Sequence, residues 1–172
     1  MTFDLIRRSF SSLRRVVMSP ESEGSNDFFY VLDESMRLLF VDDDPILREF
    51  AIVHLSTEAA SIEAAEDGIC ALQALQRSRF DLMLLDLEMP NMDGFEVLRR
   101  VRADPKLASL PIMVVTGRED VRAIDRAYQA GATSFVIKPL NWRLLSYQIR
   151  YVLRAARAES RLRDPRALSQ AS

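Results

Sequence analysis

The chain has 172 residues, a formal net charge of -2 and hydrophobic residues at 48% of its positions. This length suits one domain with modest extensions, the apolar content suffices for a sizeable core, and the charge gives no general attraction to nucleic acid. The single cysteine, Cys70, excludes a disulfide within the chain and favours a cytoplasmic setting. No apolar run is long enough to cross a bilayer, and arginines interrupt any secretory signal at the N-terminus.

Residues 1–35 are predicted to form an N-terminal extension rather than part of the domain. Apolar residues in its first 18 positions recur at helical spacing, with arginine pairs between them: Phe3, Ile6, Phe10, Leu13 and Val17. Such a basic amphipathic segment can pack on its own domain or bind a partner, and less readily it lies on a membrane. A translation start at Met18 or Met36 is a further alternative. A polar linker, residues 19–27, follows the segment.

From residue 36 to residue 153, short apolar runs alternate with helical patterns. The runs are 38–41, 60–65, 81–85, 111–116 and 133–137, and the helical patterns lie near 45–56, 68–77, 93–103 and 120–130. A last helix begins after the N-cap Asn141 and runs toward Arg163, so residues 154–172 form a helix extension and tail. Continuous apolar runs suit strands buried on both faces, and the stretches between them are long enough for crossover helices. The pattern predicts an α/β doubly wound sheet of five parallel strands.

Polar residues follow four of the five predicted strands. They are Asp42, Asp43 and Asp44 after the first strand, Asp86 after the third, Thr116 at the end of the fourth and Lys138 after the fifth. In a doubly wound sheet the carboxyl ends of parallel strands meet at one edge, where ligands bind. Each residue alone has an ordinary explanation as a cap, a turn or a strand end, but the joint occurrence favours a site.

The chemistry of these residue types suits phosphoryl transfer. Crowded carboxylates repel one another unless a cation joins them, and their oxygens suit Mg²⁺. A carboxylate can accept a phosphoryl group as a nucleophile and form an acyl phosphate. Such a transfer needs mainly positioning and charge neutralisation, which Mg²⁺ and Lys138 would supply while Thr116 offers a hydroxyl.

Five segments resemble response-regulator receivers of two-component signalling, over roughly residues 37–153. They are Leu-Leu-Phe-Val-Asp-Asp-Asp-Pro (38–45), Asp-Leu-Met-Leu-Leu-Asp-Leu-Glu-Met-Pro-Asn-Met-Asp-Gly (81–94), Val-Val-Thr-Gly (114–117), Ala-Gly-Ala (130–132) and Phe-Val-Ile-Lys-Pro (135–139). The resemblance implies a flavodoxin-like (βα)5 fold. It implies phosphorylation of Asp86, metal binding by Asp42, Asp43 and Asp86 with Asp43 as the direct ligand, and a metal contact from the backbone carbonyl of Glu88. It also implies that Thr116 and Phe135 form a switch pair and that Lys138 contacts the phosphoryl group.

The function implied is a phosphorylation-dependent switch rather than an enzyme acting on another substrate. The phosphoryl group would come from a histidine kinase or a phosphotransfer protein, with Mg²⁺, and the signal would pass on by protein contact or dimerisation. Two departures from the family pattern bear on kinetics. Gly117 stands where the family often has Ala, which widens access to the site, and Glu88 places a long acidic side chain beside it.

Two alternatives remain for the function. The end of the chain, residues 138–155, resembles receivers that continue into cyclic-di-GMP output domains, so the chain is either a stand-alone receiver or a piece of a longer regulator. The other alternative is a phosphatase with an aspartate nucleophile, which wants Asp-x-Asp where this chain has Asp86-Leu87-Glu88. The roughly twenty residues after residue 155 leave no room for a helix-turn-helix, and we expect no direct nucleic acid binding.

The last helix is expected to contribute to a homodimer, together with the face of the fourth helix, fifth strand and fifth helix. Leu145, Ile149, Val152 and Ala156 are spaced 4, 3 and 4 residues apart, as in a coiled-coil seam, with Glu159 and Leu162 following. The same residues can instead cover the chain's own sheet, as the last helix of this fold must.

Overall fold

The computed structural model describes residues 32–117 and 121–163. Its strands are β1 (Met36–Val41), β2 (Ala60–Ala65), β3 (Leu82–Asp86), β4 (Ile112–Thr116) and β5 (Ser134–Ile137). Its helices are α1 (Pro45–Leu55), α2 (Gly68–Arg77), α3 (Gly94–Ala103), α4 (Val121–Gln129) and α5 (Trp142–Arg163). The predicted alternation of five strands and five helices is confirmed. The amphipathic N-terminal segment and the linker lie outside the described residues.

The five strands form one parallel sheet in the order β2-β1-β3-β4-β5. Every residue of β3 and β4 is buried. These strands lie inside the sheet with helices on both faces, which explains their continuous apolar runs. The strand order changes direction between β1 and β3, and the crevice beyond the carboxyl ends of these two strands is where ligands bind in open α/β sheets.

The core has two parts, one on each face of the sheet. Helices α2, α3 and α4 pack on one face of the sheet. Strand side chains that point toward this face include Leu39, Leu85 and Val114. Helices α1 and α5 cover the other face, where Phe40 and Leu84 are fully buried. Among the described residues, no helix combines the length and apolar character needed to cross a bilayer.

Helix starts follow from side-chain caps that satisfy the first backbone N–H groups. Asp44 accepts a hydrogen bond of 2.8 Å from the N–H of Ile46. Asp93 accepts one of 2.8 Å from Glu96, and Asn141 accepts one of 3.0 Å from Leu144. The cap predicted at Asn141 is therefore confirmed, and Asp44 acts as a helix cap.

Three residues that the sequence assigned to the extension pack against the domain. Leu32 is buried, and its carbonyl accepts a hydrogen bond of 2.8 Å from the hydroxyl of Thr57. Asp33 and Glu34 form ion pairs with Arg150 and Arg157 of α5. Residues 32–34 therefore contact the domain, although the sequence assigned them to the extension.

The coiled-coil seam predicted on α5 is wrong. Leu145, Ile149 and Val152 are 1%, 0% and 7% exposed, because they pack on the chain's own sheet. A 4-3 spacing of apolar residues serves a sheet-covering helix as well as a coiled coil, and here the sheet takes this face. The predicted length of the helix is confirmed, since α5 continues to Arg163.

Candidate metal and phosphorylation site

Three carboxylates meet at the carboxyl edge of the sheet. Asp42 and Asp43 directly follow β1, and Asp86 ends the neighbouring strand β3. One carboxylate oxygen from each residue lies within 4.8 Å of the other two. Asp42 and Asp86 are buried, whereas Asp43 is exposed. The predicted convergence of these residues is thus present in the structure.

Lys138 reaches the same cluster from the edge strand. Its Nζ lies 2.6 Å from Oδ2 of Asp86 and 2.8 Å from Oδ2 of Asp42. Its backbone N–H donates to the carbonyl of Thr116 at 2.9 Å, which ties the end of β5 to the end of β4. We call the group formed by Asp42, Asp43, Asp86 and Lys138 the acidic site.

Burial and charge oppose each other at the acidic site. Burial raises the pKa of Asp42, while contact with Lys138 and the N–H of Asp44 work against that rise. Burial alone would lower the pKa of Lys138, but the hydrogen bonds and negative charges of Asp42 and Asp86 outweigh burial and raise it. Lys138 is therefore a charged ammonium at neutral pH that holds two carboxylates together.

The donor set of the acidic site fits a divalent cation. Three carboxylates and one ammonium carry a formal net charge of -2, which one divalent ion neutralises. Carboxylate oxygens are hard ligands of the kind that Mg²⁺ takes, and the exposed Asp43 leaves one side open to the waters that Mg²⁺ keeps. Asp44, the third acid of the run, caps α1 and is not a member of the cluster.

A glycine lets α3 start directly against the end of β3. The N–H of Gly94 donates to the carbonyl of Leu87 at 3.1 Å. A Cβ on Gly94 would lie only 2.2 Å from the carbonyl oxygen of Asp86, so no larger residue fits there without a shift of backbone. Oδ1 of Asp86 accepts a hydrogen bond of 3.1 Å from the N–H of Glu88. These contacts fix both the backbone and the carboxylate of Asp86.

Sequence reasoning missed a contact that holds the loop between β3 and α3. Asp67 is buried and caps α2 by accepting from the N–H of Cys70 at 2.8 Å. Its other oxygen accepts from the side-chain amide of Asn91 at 2.9 Å. Asn91 has φ of 64°, a left-handed conformation that Asn tolerates better than most residues. The hydrogen bonds from Cys70 and then Asn91 lower the pKa of Asp67.

The two residues expected to form a switch lie on adjacent strands. Thr116 is fully buried at the end of β4, and Phe135 of β5 is partly buried in the core beside α4. The ring of Phe135 meets the ring of Tyr128 of α4 edge-on, with centroids 6.0 Å apart. Gly117 is exposed, and a Cβ there would meet nothing within 4 Å. The position of Gly117 is therefore open, while the wider access to the site and the switch role stay predictions.

Comparison with known proteins agrees with this architecture. Residues 38–150 match the family described as response regulator receiver domain. The chain belongs to this family.

The chain is 39% identical to the response regulator MprA of Mycobacterium leprae over 124 residues, 72% of this chain and 54% of that protein. It is 36% identical to the transcriptional regulatory protein AfsQ1 of Streptomyces coelicolor, over 72% of this chain and 53% of that protein. The chain thus spans about half the length of these curated relatives.

Solved receiver structures show the same fold. The chemotaxis protein CheY4 of Vibrio cholerae is 30% identical with a TM-score of 0.66, over 69% of this chain and 98% of that one. A CheY-like receiver domain protein of Methanospirillum hungatei is 27% identical with a TM-score of 0.68, over 73% of this chain and 99% of that one. The flavodoxin-like receiver fold expected from the sequence is confirmed.

Proposed function

We propose that this receiver is a phosphorylation-dependent switch in which Asp86 accepts a phosphoryl group from the phosphohistidine of a histidine kinase or phosphotransfer protein. The observation that carries the proposal is the position of Asp86, buried at a strand end between Lys138 and two further carboxylates. Asp42, Asp43 and Asp86, with the backbone carbonyl of Glu88, would hold Mg²⁺. When bound, Mg²⁺ would neutralise charge on the phosphoryl oxygens.

In the proposed reaction, a carboxylate oxygen of Asp86 forms a bond to phosphorus while the bond between phosphorus and the donor histidine nitrogen breaks. The histidine leaves as the neutral ring once its nitrogen takes a proton, and Asp86 becomes an acyl phosphate. The hydrogen bond from Glu88 N–H to Oδ1 holds the carboxylate in place during attack. Lys138, now 2.6 Å from Oδ2, would move to a phosphoryl oxygen as the negative charge moves outward.

A surface for the phosphodonor lies on α1, which begins two residues after Asp43. Three of its apolar side chains, Ile46, Phe50 and Val53, are about half exposed or more and spaced 4 and 3 residues apart on one helix face. A donor that delivers phosphate to the sheet edge must contact the surfaces around that edge. Replacing Phe50 with Ala should therefore slow transfer from a donor protein but leave phosphorylation by acetyl phosphate unchanged.

The readout proposed for phosphorylation passes through Thr116 and Phe135. A new phosphoryl group offers charged oxygens that attract the Thr116 hydroxyl, and its movement frees space for Phe135 to rotate inward. Rotation of Phe135 would break its ring contact with Tyr128 of α4. The surface of α4, β5 and α5 would then change, and the signal would pass to a partner by protein contact or pairing rather than by direct nucleic acid binding.

Mass spectrometry after incubation with acetyl phosphate and Mg²⁺ tests the proposal. We expect one added phosphoryl group per chain, none without Mg²⁺ and none in Asp86→Asn. Asp43→Ala should weaken Mg²⁺ binding because one hard oxygen ligand is removed. Modification that persists in Asp86→Asn would refute the assignment, and catalytic turnover of phosphate esters would favour the phosphatase alternative.

A separate alternative is that the chain is the receiver part of a longer regulator that carries an output domain. MprA and AfsQ1 are each about twice the length of the matched region, and AfsQ1 is named a transcriptional regulator. A receiver that ends in an output domain, such as the cyclic-di-GMP kind, would use the same switch. Sequencing the native gene across residue 172 distinguishes a stand-alone receiver from such a fragment.

A further inference from the structure

Helix α1 presents an apolar and aromatic patch to solvent. Its side chains Ile46, Phe50 and Val53 are 63%, 48% and 49% exposed. The ring of Phe50 meets the ring of Trp142 with centroids 6.5 Å apart, and the exposed ring of His54 stacks on Trp142 with centroids 5.4 Å apart. We call these five residues the α1 patch. The spacing of 4 and 3 residues along α1 suits contact with the apolar face of a second helix.

The first 18 residues of this chain carry a matching apolar pattern. Their apolar positions are spaced 3, 4, 3 and 4 residues apart: Phe3, Ile6, Phe10, Leu13 and Val17. Residues 1–31 lie outside the described residues, and the match rests on their sequence. A helix with this pattern places all five side chains on one face, and such a face binds an exposed apolar helix surface.

The described chain begins beside the end of α1. Leu32 is buried in the same core as Leu55, the last residue of α1, and its carbonyl accepts a hydrogen bond of 2.8 Å from the hydroxyl of Thr57. Residues 19–31 join this point to the basic segment and can extend to about 45 Å. Since α1 has 11 residues and is about 16 Å long, the segment can reach the whole α1 patch. A tether of this kind gives an effective concentration of about millimolar.

Charge favours α1 over the exposed side of α5 as the place where the segment binds. Residues 1–18 contain four arginines and one acid, a formal net charge of +3, whereas residues 44–58 contain three acids and one arginine, a net charge of -2. Residues 142–162 of α5 contain five arginines and one acid. A basic segment is therefore attracted to α1 and repelled by α5. Its guanidinium groups can also pack on the rings of Phe50 and Trp142.

We propose that residues 1–18 dock in cis on the α1 patch of their own chain. The patch includes the surface proposed for the phosphodonor, so the docked segment and a donor protein exclude each other. Only this consequence rests on the proposed function, because docking requires neither Asp86 nor a metal ion. Acetyl phosphate needs no contact with α1, so its reaction with Asp86 should not depend on docking.

Fluorescence of Trp142, the only tryptophan of the chain, reports whether the α1 patch is covered. In the full-length chain, acrylamide should quench Trp142 roughly two- to fivefold more strongly in Phe10→Glu than in wild type, because a buried charge disrupts an apolar contact. Ser12→Glu is the matched control, since it adds the same charge on the opposite side of the predicted helix and should behave like wild type. Equal quenching in all three proteins would overturn the proposal.

A second pair of variants tests the surface that receives the segment. Val53→Glu in the α1 patch should increase quenching of Trp142 as Phe10→Glu does. Leu162→Glu is the control on α5, where Leu162 is 73% exposed, and should leave quenching unchanged. Increased quenching in Leu162→Glu with none in Val53→Glu would place the segment on α5 and overturn the proposal.

Dilution and lipid vesicles distinguish the other occupants of the patch and the other partners of the segment. Docking in cis predicts the same quenching from low to high micromolar protein, with a monomer in sedimentation equilibrium. Shielding of Trp142 that is lost as a dimer dissociates would show docking between two copies and would overturn the cis arrangement. Sedimentation of wild type, but not of Phe10→Glu, with vesicles of phosphatidylglycerol and phosphatidylcholine, together with an unshielded Trp142, would also overturn it.

Labelling by acetyl phosphate separates this proposal from the proposed function. Wild type and Phe10→Glu should gain a phosphoryl group on Asp86 at the same rate. No labelling of either protein, with the difference in quenching intact, would refute Asp86 as acceptor but support docking. Faster labelling of Phe10→Glu would show that the segment covers the acidic site, and would overturn its placement on the α1 patch.

Discussion

Helices α3 and α4 cover the same face of the sheet, but they are attached to it very differently. Four residues of α3 are buried, its start is capped by Asp93, and Gly94 lies against the backbone of Asp86. Of the nine residues of α4, only Ala127 is buried. The strands repeat this contrast, since β3 is buried throughout while β5 has no buried residue.

The difference separates the proposed phosphoacceptor from the proposed readout. Full burial of an aliphatic side chain stabilises a fold by about 1.5–3 kcal/mol, so α3 is held by several such contributions and α4 by far less. Besides the burial of Ala127, two ring contacts hold α4. Arg126 packs on the ring of Phe95, and the ring of Tyr128 contacts the ring of Phe135. Asp86 thus belongs to the rigid part of the molecule, whereas Phe135 and α4 can move at low cost.

The sharpest test of the contrast is a matched pair of aliphatic truncations. Leu98→Ala in α3 should lower the free energy of unfolding by about 2–5 kcal/mol, because Leu98 is fully buried and leaves a cavity. Ile124→Ala in α4 should cost less than about 1.5 kcal/mol, because its side chain is only partly buried. Urea denaturation measures both, and equal losses would show that α4 is anchored as firmly as α3.

The Asp67–Asn91 contact should matter to metal binding as well as to stability. Asn91→Ala leaves a buried carboxylate without its amide partner, which costs about 1–3 kcal/mol, and frees the loop that carries Glu88. We expect weaker Mg²⁺ binding, measured by calorimetry. Thr57→Val removes the three hydrogen bonds of the Thr57 hydroxyl, at the opposite edge of the sheet, and serves as the control. If both variants bind Mg²⁺ like wild type, the contact is structural only.

The same contact predicts a pH dependence of stability. The folded-state pKa of Asp67 lies below its ordinary value of 3.8, so its charged form stabilises the fold above that value. The advantage of wild type over Asp67→Asn should be full above about pH 5 and should shrink as pH falls through the folded-state pKa. Denaturation curves at several pH values measure the difference, and a constant gap across the acid range would contradict the assignment.

The smallest effect is expected at the contact that joins α4 to α3. The guanidinium of Arg126 lies 3.9 Å from the ring centroid of Phe95, an exposed cation–π contact worth about 0.5–1 kcal/mol. Arg126→Ala should lower stability by no more than this and increase amide exchange in α4 alone. Arg143→Ala, an exposed arginine of α5, is the control. Increased exchange throughout the domain would show that this contact supports more than α4.

Most of the fold was predictable from the sequence because strand and helix patterns alternate without ambiguity. All ten elements lie within two residues of their predicted bounds. The residues of the acidic site were predictable because the carboxyl ends of parallel strands lie at one edge of the sheet. The predicted seam was wrong because a 4-3 spacing of apolar residues does not say whether a helix face covers the sheet or meets a partner. The Asp67–Asn91 contact joins residues 24 positions apart and leaves no local pattern.

Hydrogen–deuterium exchange with and without beryllofluoride and Mg²⁺ tests the central claim most directly, namely that a rigid acceptor controls a loosely held readout. We predict changed exchange in α4 and β5 and unchanged exchange in β3 and α3 beyond the loop proposed to bind Mg²⁺. Asp86→Asn should show no change in either region. A response confined to β3 and α3, or one present in Asp86→Asn, would contradict the account.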